Sequence, residues 1–227
     1  MTIDRPLKLG ELLAETVRLY GERIWPCLGL GIFVAAMLGV GLVTDSAVVF
    51  VILFSLAFTA AWATAARLVS GDRFGEAWAR LAPRVPVLIA LTIVVSFPFT
   101  LGRLDPILLL FGVFWLGLTG FAIPVAVLEK RPDGGPWYAA LTYALGRSVS
   151  LARAQYLHAV GIAAALVILY VLIGTLLVQA LLGFAENGEL ASVLLAQVVL
   201  APFFFIGLSV LYFEQRARAL SSPRHPE

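Results

Sequence analysis

Polar and apolar positions along this chain fall into long blocks rather than a short alternation. Six apolar stretches reach the length range that crosses a hydrocarbon core as a helix, about 17–25 residues or slightly more. They are Ile24–Val43, Ala47–Leu68, Val85–Leu101, Pro106–Leu128, Tyr156–Phe184 and Leu190–Phe213. The stretches come in pairs. Only Thr44-Asp45-Ser46 separates the first two, Gly102-Arg103-Leu104-Asp105 the next two, and Ala185-Glu186-Asn187-Gly188-Glu189 the last two. These connectors carry helix-start and turn chemistry, such as Asp105 before Pro106, and Asn187-Gly188. The pattern predicts an all-α, polytopic membrane helix bundle with six transmembrane helices arranged as three hairpins. The fifth stretch is long for one crossing, so it is expected to tilt or to begin in the interface.

A shorter pattern precedes each pair. Leu9, Leu12, Leu13, Thr16, Tyr20 and Ile24 recur at three- and four-residue spacing, with Lys8, Glu11, Glu15, Arg18 and Glu22 on the opposite face. This is an amphipathic helix, supported by Glu15/Arg18 and Arg18/Glu22 pairs. It either adheres to anionic lipid or docks on the ends of the spans. Its mixed charge signs favour docking, because adhesion wants a face dominated by Lys and Arg. Lys8-Leu9-Gly10-Glu11-Leu12-Leu13 lines up with Arg73-Phe74-Gly75-Glu76-Ala77-Trp78. Pro136-Trp137-Tyr138-Ala139-Ala140-Leu141 keeps the aromatic and apolar positions without the Gly-Glu. The chain therefore reads as a single membrane domain over 1–227. Its internal repeat units span about 7–68, 73–128 and 136–213, each a short interfacial helix followed by two spans, and 214–227 reads as a cytoplasmic tail.

Composition sharpens this picture. Hydrophobic residues make up 61% and charged residues 13%, against roughly 45–50% and about 25% in a soluble domain. With a mean hydropathy of +0.96, too little polar surface remains to cover a water-soluble globule. That excludes a soluble enzyme, a disordered region and a nucleic-acid-binding domain. Net charge is only +2, from 16 Lys+Arg against 14 Asp+Glu, and the placement of the charges says more than their sum. With even hairpins and both termini on one side, every cation except Arg103 falls on that side, while Asp45, Asp105, Glu186 and Glu189 lie opposite. The positive-inside bias makes that side cytoplasmic. The arginine-dominated cations and the abundance of Ala, Leu and Val fit a GC-rich bacterial coding style, and the expected location is the bacterial inner membrane. A first apolar run that starts only at Ile24 and leads straight into a second span reads as a retained targeting signal, not a cleaved peptide. Cys27 is the only cysteine, so no internal disulfide or multi-cysteine metal site is available.

Chemistry is sparse in the apolar stretches. No ionisable residue lies mid-span, where transporters and pumps usually carry them. Gln179 and Gln197 sit in the outer halves of the last two spans and are expected either to form an interhelical amide pair or to line a polar substrate site. Pro98, Pro124 and Pro202 mark either ordinary kinks or broken helices around a mid-membrane site. Gly31, Ala35 and Gly39 form a small-residue stripe, an intramolecular packing face or a dimer seam. Glu129 and Glu214 close the fourth and sixth spans, with Arg147 and Arg153 on or near the third short segment and Arg216 just beyond Glu214. These residues are expected to clamp the interfacial helix to the bundle; the other reading is a lipid-headgroup site on the same arginines. His158 and His225 stand alone. No zinc-protease, hydrolase-elbow, phosphate-loop or paired-carboxylate motif occurs, so no catalytic residue, cofactor or metal site is expected.

The segments Leu9-Gly10-Glu11-Leu12-Leu13 with Leu19-Tyr20, Pro124-Val125-Ala126-Val127-Leu128-Glu129, Ala140-Leu141 with Arg147-Ser148, and Pro202 with Leu211-Tyr212-Phe213-Glu214-Gln215-Arg216 resemble a family of bacterial six-helix membrane proteins. It is often labelled the glycerophosphoryl diester phosphodiesterase membrane domain, and the resemblance covers essentially the whole chain. In fused members the chemistry resides in a separate soluble barrel. The resemblance thus implies a membrane module and carries over no catalytic residue. The third short segment departs from the family in having fewer cations. The expected function is a non-catalytic module binding a partner protein, phospholipid, or both through its cytoplasmic-side helices. A small transporter or lipid translocator is the alternative. The pattern leaves the oligomeric state open.

Overall fold

Helix formation here follows the apolar runs and the punctuation between them. A computed structural model describes residues 7–44, 46–101, 106–129, 135–182 and 188–221 (for 96–101, 106–110 and 154, the backbone alone). The connector residues Asp45, Arg103, Asp105, Glu186 and Asn187, together with Lys130 and His225, lie outside the described residues. The described elements are all helical: α1 (Leu9–Glu22), α2 (Ile24–Val43), α3 (Ala47–Ser70), α4 (Phe74–Leu81), a 3-10 turn at Ala82–Arg84, α5 (Val85–Leu101), α6 (Pro106–Thr119), α7 (Ala122–Leu128), α8 (Trp137–Ala154), α9 (Tyr156–Leu182) and α10 (Glu189–Ser221). Six helical stretches are long and apolar enough to cross a membrane, namely Ile24–Val43, Ala47–Ser70, Phe74–Val95, Phe111–Leu128, Tyr156–Leu182 and Glu189–Ser221. This is the make-up of a multi-pass membrane protein.

Local chemistry sets several boundaries. Ser46 Oγ accepts from Val49 N at 3.4 Å and starts α3. Gly71, at φ 111°, stops it. Asp72 N donates to Arg67 O at 3.1 Å and Gly71 N to Leu68 O at 3.0 Å, a Schellman closure that needs a residue without Cβ strain. On α1, Leu12, Thr16 and Leu19 are buried. Its exposed face pairs Arg18 with Glu15 and Glu22, both at 2.5 Å. The hydrogen bond from Arg18 holds the Glu15 carboxyl below its usual value, and Glu15 followed by Glu22 raises the guanidinium in turn.

The helix boundaries depart from the sequence reading at two notable places. The fourth apolar run is two helices, broken at Gly120-Phe121. Pro124 has no N–H for the Gly120 carbonyl and its ring crowds that carbonyl; Ile123 N takes it instead at 3.3 Å. Ala122, Ile123, Pro124 and Val125 are all buried, so the break is packed over. The last run does not end at Phe213 with a separate tail. Helix α10 continues to Ser221, and Glu214 and Gln215 within that extension are fully buried.

The helices pack in a ring. Helix α2 lies on α3 and α10, α5 on α6 and α3, and α9 on α10 and α6. The shorter helices rotate the same way, with α1 on α10, α4 on α3 and α8 on α7. Fully buried Trp62, Ile123, Leu208, Leu211 and Tyr212 fill the interior, whereas Ile32, Ile52, Ile93, Ile168 and Leu176 face outward. Lipid is as apolar as these side chains, so association between spans rests on close packing.

The α2–α10 seam closes the ring. Pro202 lies inside α10 and leaves the Val198 carbonyl without its helical donor. A Cβ on Gly31 would collide with that same carbonyl and its backbone. The glycine hydrogen therefore points at the free oxygen, a Cα–H···O contact worth about 0.5–1 kcal/mol. Ala35 is buried next along the stripe, and Gly39 meets the Leu194 side chain of α10. The small-residue stripe is thus occupied within the molecule. Gly31→Ala is expected to lower the thermal midpoint in detergent, by the equivalent of about 1–3 kcal/mol for an overpacked contact. Gly10→Ala, which meets nothing within 4 Å, leaves it unchanged or higher; circular dichroism melts check both.

Candidate functional site at the collar of the bundle

The ends of α3, α7 and α10 gather with α1, α4 and α8 at one end of the bundle. In an apolar surround the last carbonyls of a helix and any charge beside them need partners, and this collar supplies them three times. At the end of α3, Asp72 meets Arg80 of α4 at 2.7 Å and Arg67 at 3.5 Å. At the end of α7, Glu129 accepts from Tyr143 Oη of α8 at 3.1 Å and Tyr212 Oη of α10 at 2.9 Å, with Arg147 Nε at 3.4 Å. Near the end of α10, Glu214 bonds Arg218 Nε, accepts from Gln215 Nε2 at 2.9 Å, and has His158 Nε2 at 3.5 Å. The three carboxylates are 12%, 11% and 0% exposed, so each is enclosed by its donors.

A second set of ties joins the start of each outer helix to the end of its inner partner. Arg23, ahead of α2, donates to Leu68 O and, at 3.2 Å, to Asp72 O. Arg84, ahead of α5, donates to Ala126 O. Gln155, ahead of α9, accepts from Arg218 Nη1 at 2.7 Å. Arg218 also donates to Leu7 O at 3.1 Å, which fastens the segment leading into α1. Ser148 Oγ of α8 reaches Leu118 O at 2.6 Å.

The sequence-derived candidates divide. Glu129 and Arg147 come together. Glu214 meets neither Arg147 nor Arg153 but Arg218, because α10 continues past Phe213 and sets Arg218 one turn on. Arg153 is exposed, and among the described residues it makes no ion pair or hydrogen bond. Arg216 is exposed but close enough to Tyr143 and Tyr212 to act on both phenols. Gln179 and Gln197 are not an amide pair. Gln179 faces outward, and Gln197 takes its hydrogen bond from Tyr170 Oη of α9. The sequence reading missed Asp72, Arg80, Tyr143, Tyr212 and Arg218. Their signal was an acid just after the second span of each pair, at 72, 129 and 214.

Burial pushes the Tyr143 phenol up, aided by its bond to Glu129 and opposed by Arg147 and Arg216. The folded chain keeps this proton where the unfolded chain loses it. Its contribution is complete at neutral pH and is lost as pH rises past the ordinary phenol range, about 10. Tyr143→Phe is therefore expected to flatten the alkaline limb of a plot of thermal midpoint against pH. Glu214→Gln or Arg218→Gln breaks a buried pair and is expected to cost about 3–5 kcal/mol. Exposed Arg153→Gln stays within about 0.5 kcal/mol. Melts in one detergent rank the three.

Comparison with protein-family models, with curated proteins and with solved structures gives no match for this chain.

Proposed function

We propose that the chain is a non-catalytic integral membrane module of a bacterial inner membrane, with both termini cytoplasmic, that holds a partner protein or phospholipid through its collar. On this reading α2–α3, α5 to α7 and α9–α10 are three hairpins, each preceded by a short interfacial amphipathic helix, and together they are three copies of one internal repeat. The rotating contact pattern supports the repeat, since each outer helix bridges its own inner helix and that of the preceding unit. The resemblance to the six-helix membrane domain found beside phosphodiesterase barrels is kept as part of the same proposal.

The observation that carries the functional reading is where the polar chemistry sits. Buried carboxylates and their donors cluster at the collar, while the helices between are filled by apolar side chains and by hydroxyls such as Thr64, Thr92 and Ser209 that bond their own helix carbonyls. A collar tied at every junction is a rigid platform, and its outward charges, Lys8 and Arg153 among them, are free to meet a partner or lipid phosphate.

Purification in a native nanodisc with native mass spectrometry tests this. A stoichiometric protein or a defined phospholipid is expected to accompany the chain and to be lost in a Lys8→Glu/Arg153→Glu variant with an unchanged melt. A chain that carries neither, yet moves a solute or lipid across proteoliposomes, would replace the module with the translocator. The packed break at Gly120 and the Tyr170–Gln197 pair are the features that second reading would use.

A further inference from the structure

The seam between α3 and α5 holds a cavity of about 340 Å³, bordered by Phe33 of α2, Leu56 and Thr59 of α3, Trp78 of α4, and Leu88 and Thr92 of α5. Its size lies within the range of small-molecule pockets, about 300–1,000 Å³. Its walls are almost wholly apolar. Both α3 and α5 belong to stretches long and apolar enough to cross a membrane, and in a membrane the medium at its mouth is hydrocarbon. Thr59 is the exception in the lining. Threonines in spanning helices usually satisfy their hydroxyl on the carbonyl one turn back. Thr64 does so on Ala60 O at 2.7 Å and Thr92 on Leu88 O at 2.8 Å. Thr59 is 2% exposed, and among the described residues its Oγ1 has no partner.

The collar end of the elements that border the cavity is strongly cationic. Arg23, Arg67 and Arg80 gather there on Asp72, with Arg84 beside Arg67 and Arg73 next to Asp72 in the chain. The lining residues Leu81 and Val85 lie next in the chain to Arg80 and Arg84. Asp72 alone serves both Arg67 and Arg80. Arg67 Nε is buried without an acceptor, and Arg73 is exposed. An apolar slot that ends in excess arginine charge matches an amphiphile with a hydrocarbon tail and an anionic head.

We infer that this seam binds one anionic phospholipid, an acyl chain in the cavity and the phosphate at the arginine-rich end. The inference rests on reading the chain as a membrane-embedded module. It assigns one lipid to a seam apart from the Lys8/Arg153 surface: the seam lipid survives Lys8→Glu/Arg153→Glu and the collar ligand survives Ala60→Phe, so the two readings fail separately.

Native mass spectrometry from nanodiscs of equal phosphatidylglycerol and phosphatidylcholine is the test. One phosphatidylglycerol per chain is expected to remain, at least tenfold over phosphatidylcholine. Ala60→Phe, at a lining residue next to Thr59, fills the cavity and reduces that retention at least fivefold, and Arg73→Gln/Arg80→Gln removes the headgroup preference. Ala164→Phe, in the separate groove between α6 and α9, changes neither. Equal retention of the two lipids by the wild type, or undiminished retention by Ala60→Phe, overturns the inference. Should Ala60→Phe not fold, phosphatidylglycerol with a photoreactive acyl chain replaces it on the wild type. Adducts are then expected at 56–60 and 88–92, and labelling that avoids both segments overturns the assignment.

Discussion

The contact between Gly31 and the Val198 carbonyl is the closure on which the arrangement of the other helices depends. A proline inside a membrane helix strands one carbonyl, and in hydrocarbon no water can take it. Here Pro202 strands the Val198 oxygen, and α2 covers it at a glycine that carries nothing in the way. The approach brings the first spanning helix against the last. With that seam shut, every outer helix has two inner neighbours and the chain forms a ring with no open end.

The collar answers the same demand at the helix ends. The carbonyls of Leu68 and Ala126 lie where their helices run out, and Arg23 and Arg84 reach back to them from the junctions ahead of α2 and α5. Arginine suits this task, because its planar head offers five donors and keeps its charge. Asp72, Glu129 and Glu214 balance the resulting positive field, one per inner helix. The three stations are equivalent in place but not in chemistry. Asp72 uses two arginines, Glu129 two phenols and an arginine, and Glu214 an arginine one turn along with a histidine beside it. The phenols join α7, α8 and α10 at Glu129, whereas Arg218 joins α10 to α9 and to the chain entering α1.

Legibility in the sequence varied with the length scale of the signal. The first run, Ile24–Val43, is also the first spanning helix to the residue, since a long apolar block between polar breaks admits few other outcomes. Pro124 was visible as a kink candidate, but its effect on Gly120 needed the carbonyl's alternative donor to be seen. The end of α10 was misjudged because hydropathy falls after Phe213 while the helix goes on, stabilised by a buried pair that hydropathy cannot register. Gln179 and Gln197 both lie in apolar runs, yet Gln179 faces outward while Gln197 turns to Tyr170, so they do not share a face. Asp72 passed unnoticed because one acid in a polar loop carries no signal until it is compared with Glu129 and Glu214.

The sequence by itself determined that the chain is helical, how many stretches are long and apolar enough to cross a membrane, and where most of them begin. These follow from composition, block length and local caps, which need no knowledge of neighbours. Tertiary structure alone decided which helix lies beside which, that the stripe of Gly31, Ala35 and Gly39 is used within the molecule, and which arginine serves which carboxylate. Partner choice in a medium as apolar as the side chains depends on the fit of surfaces and the pairing of stranded polar groups. Those properties belong to pairs of distant segments, and no single segment contains them.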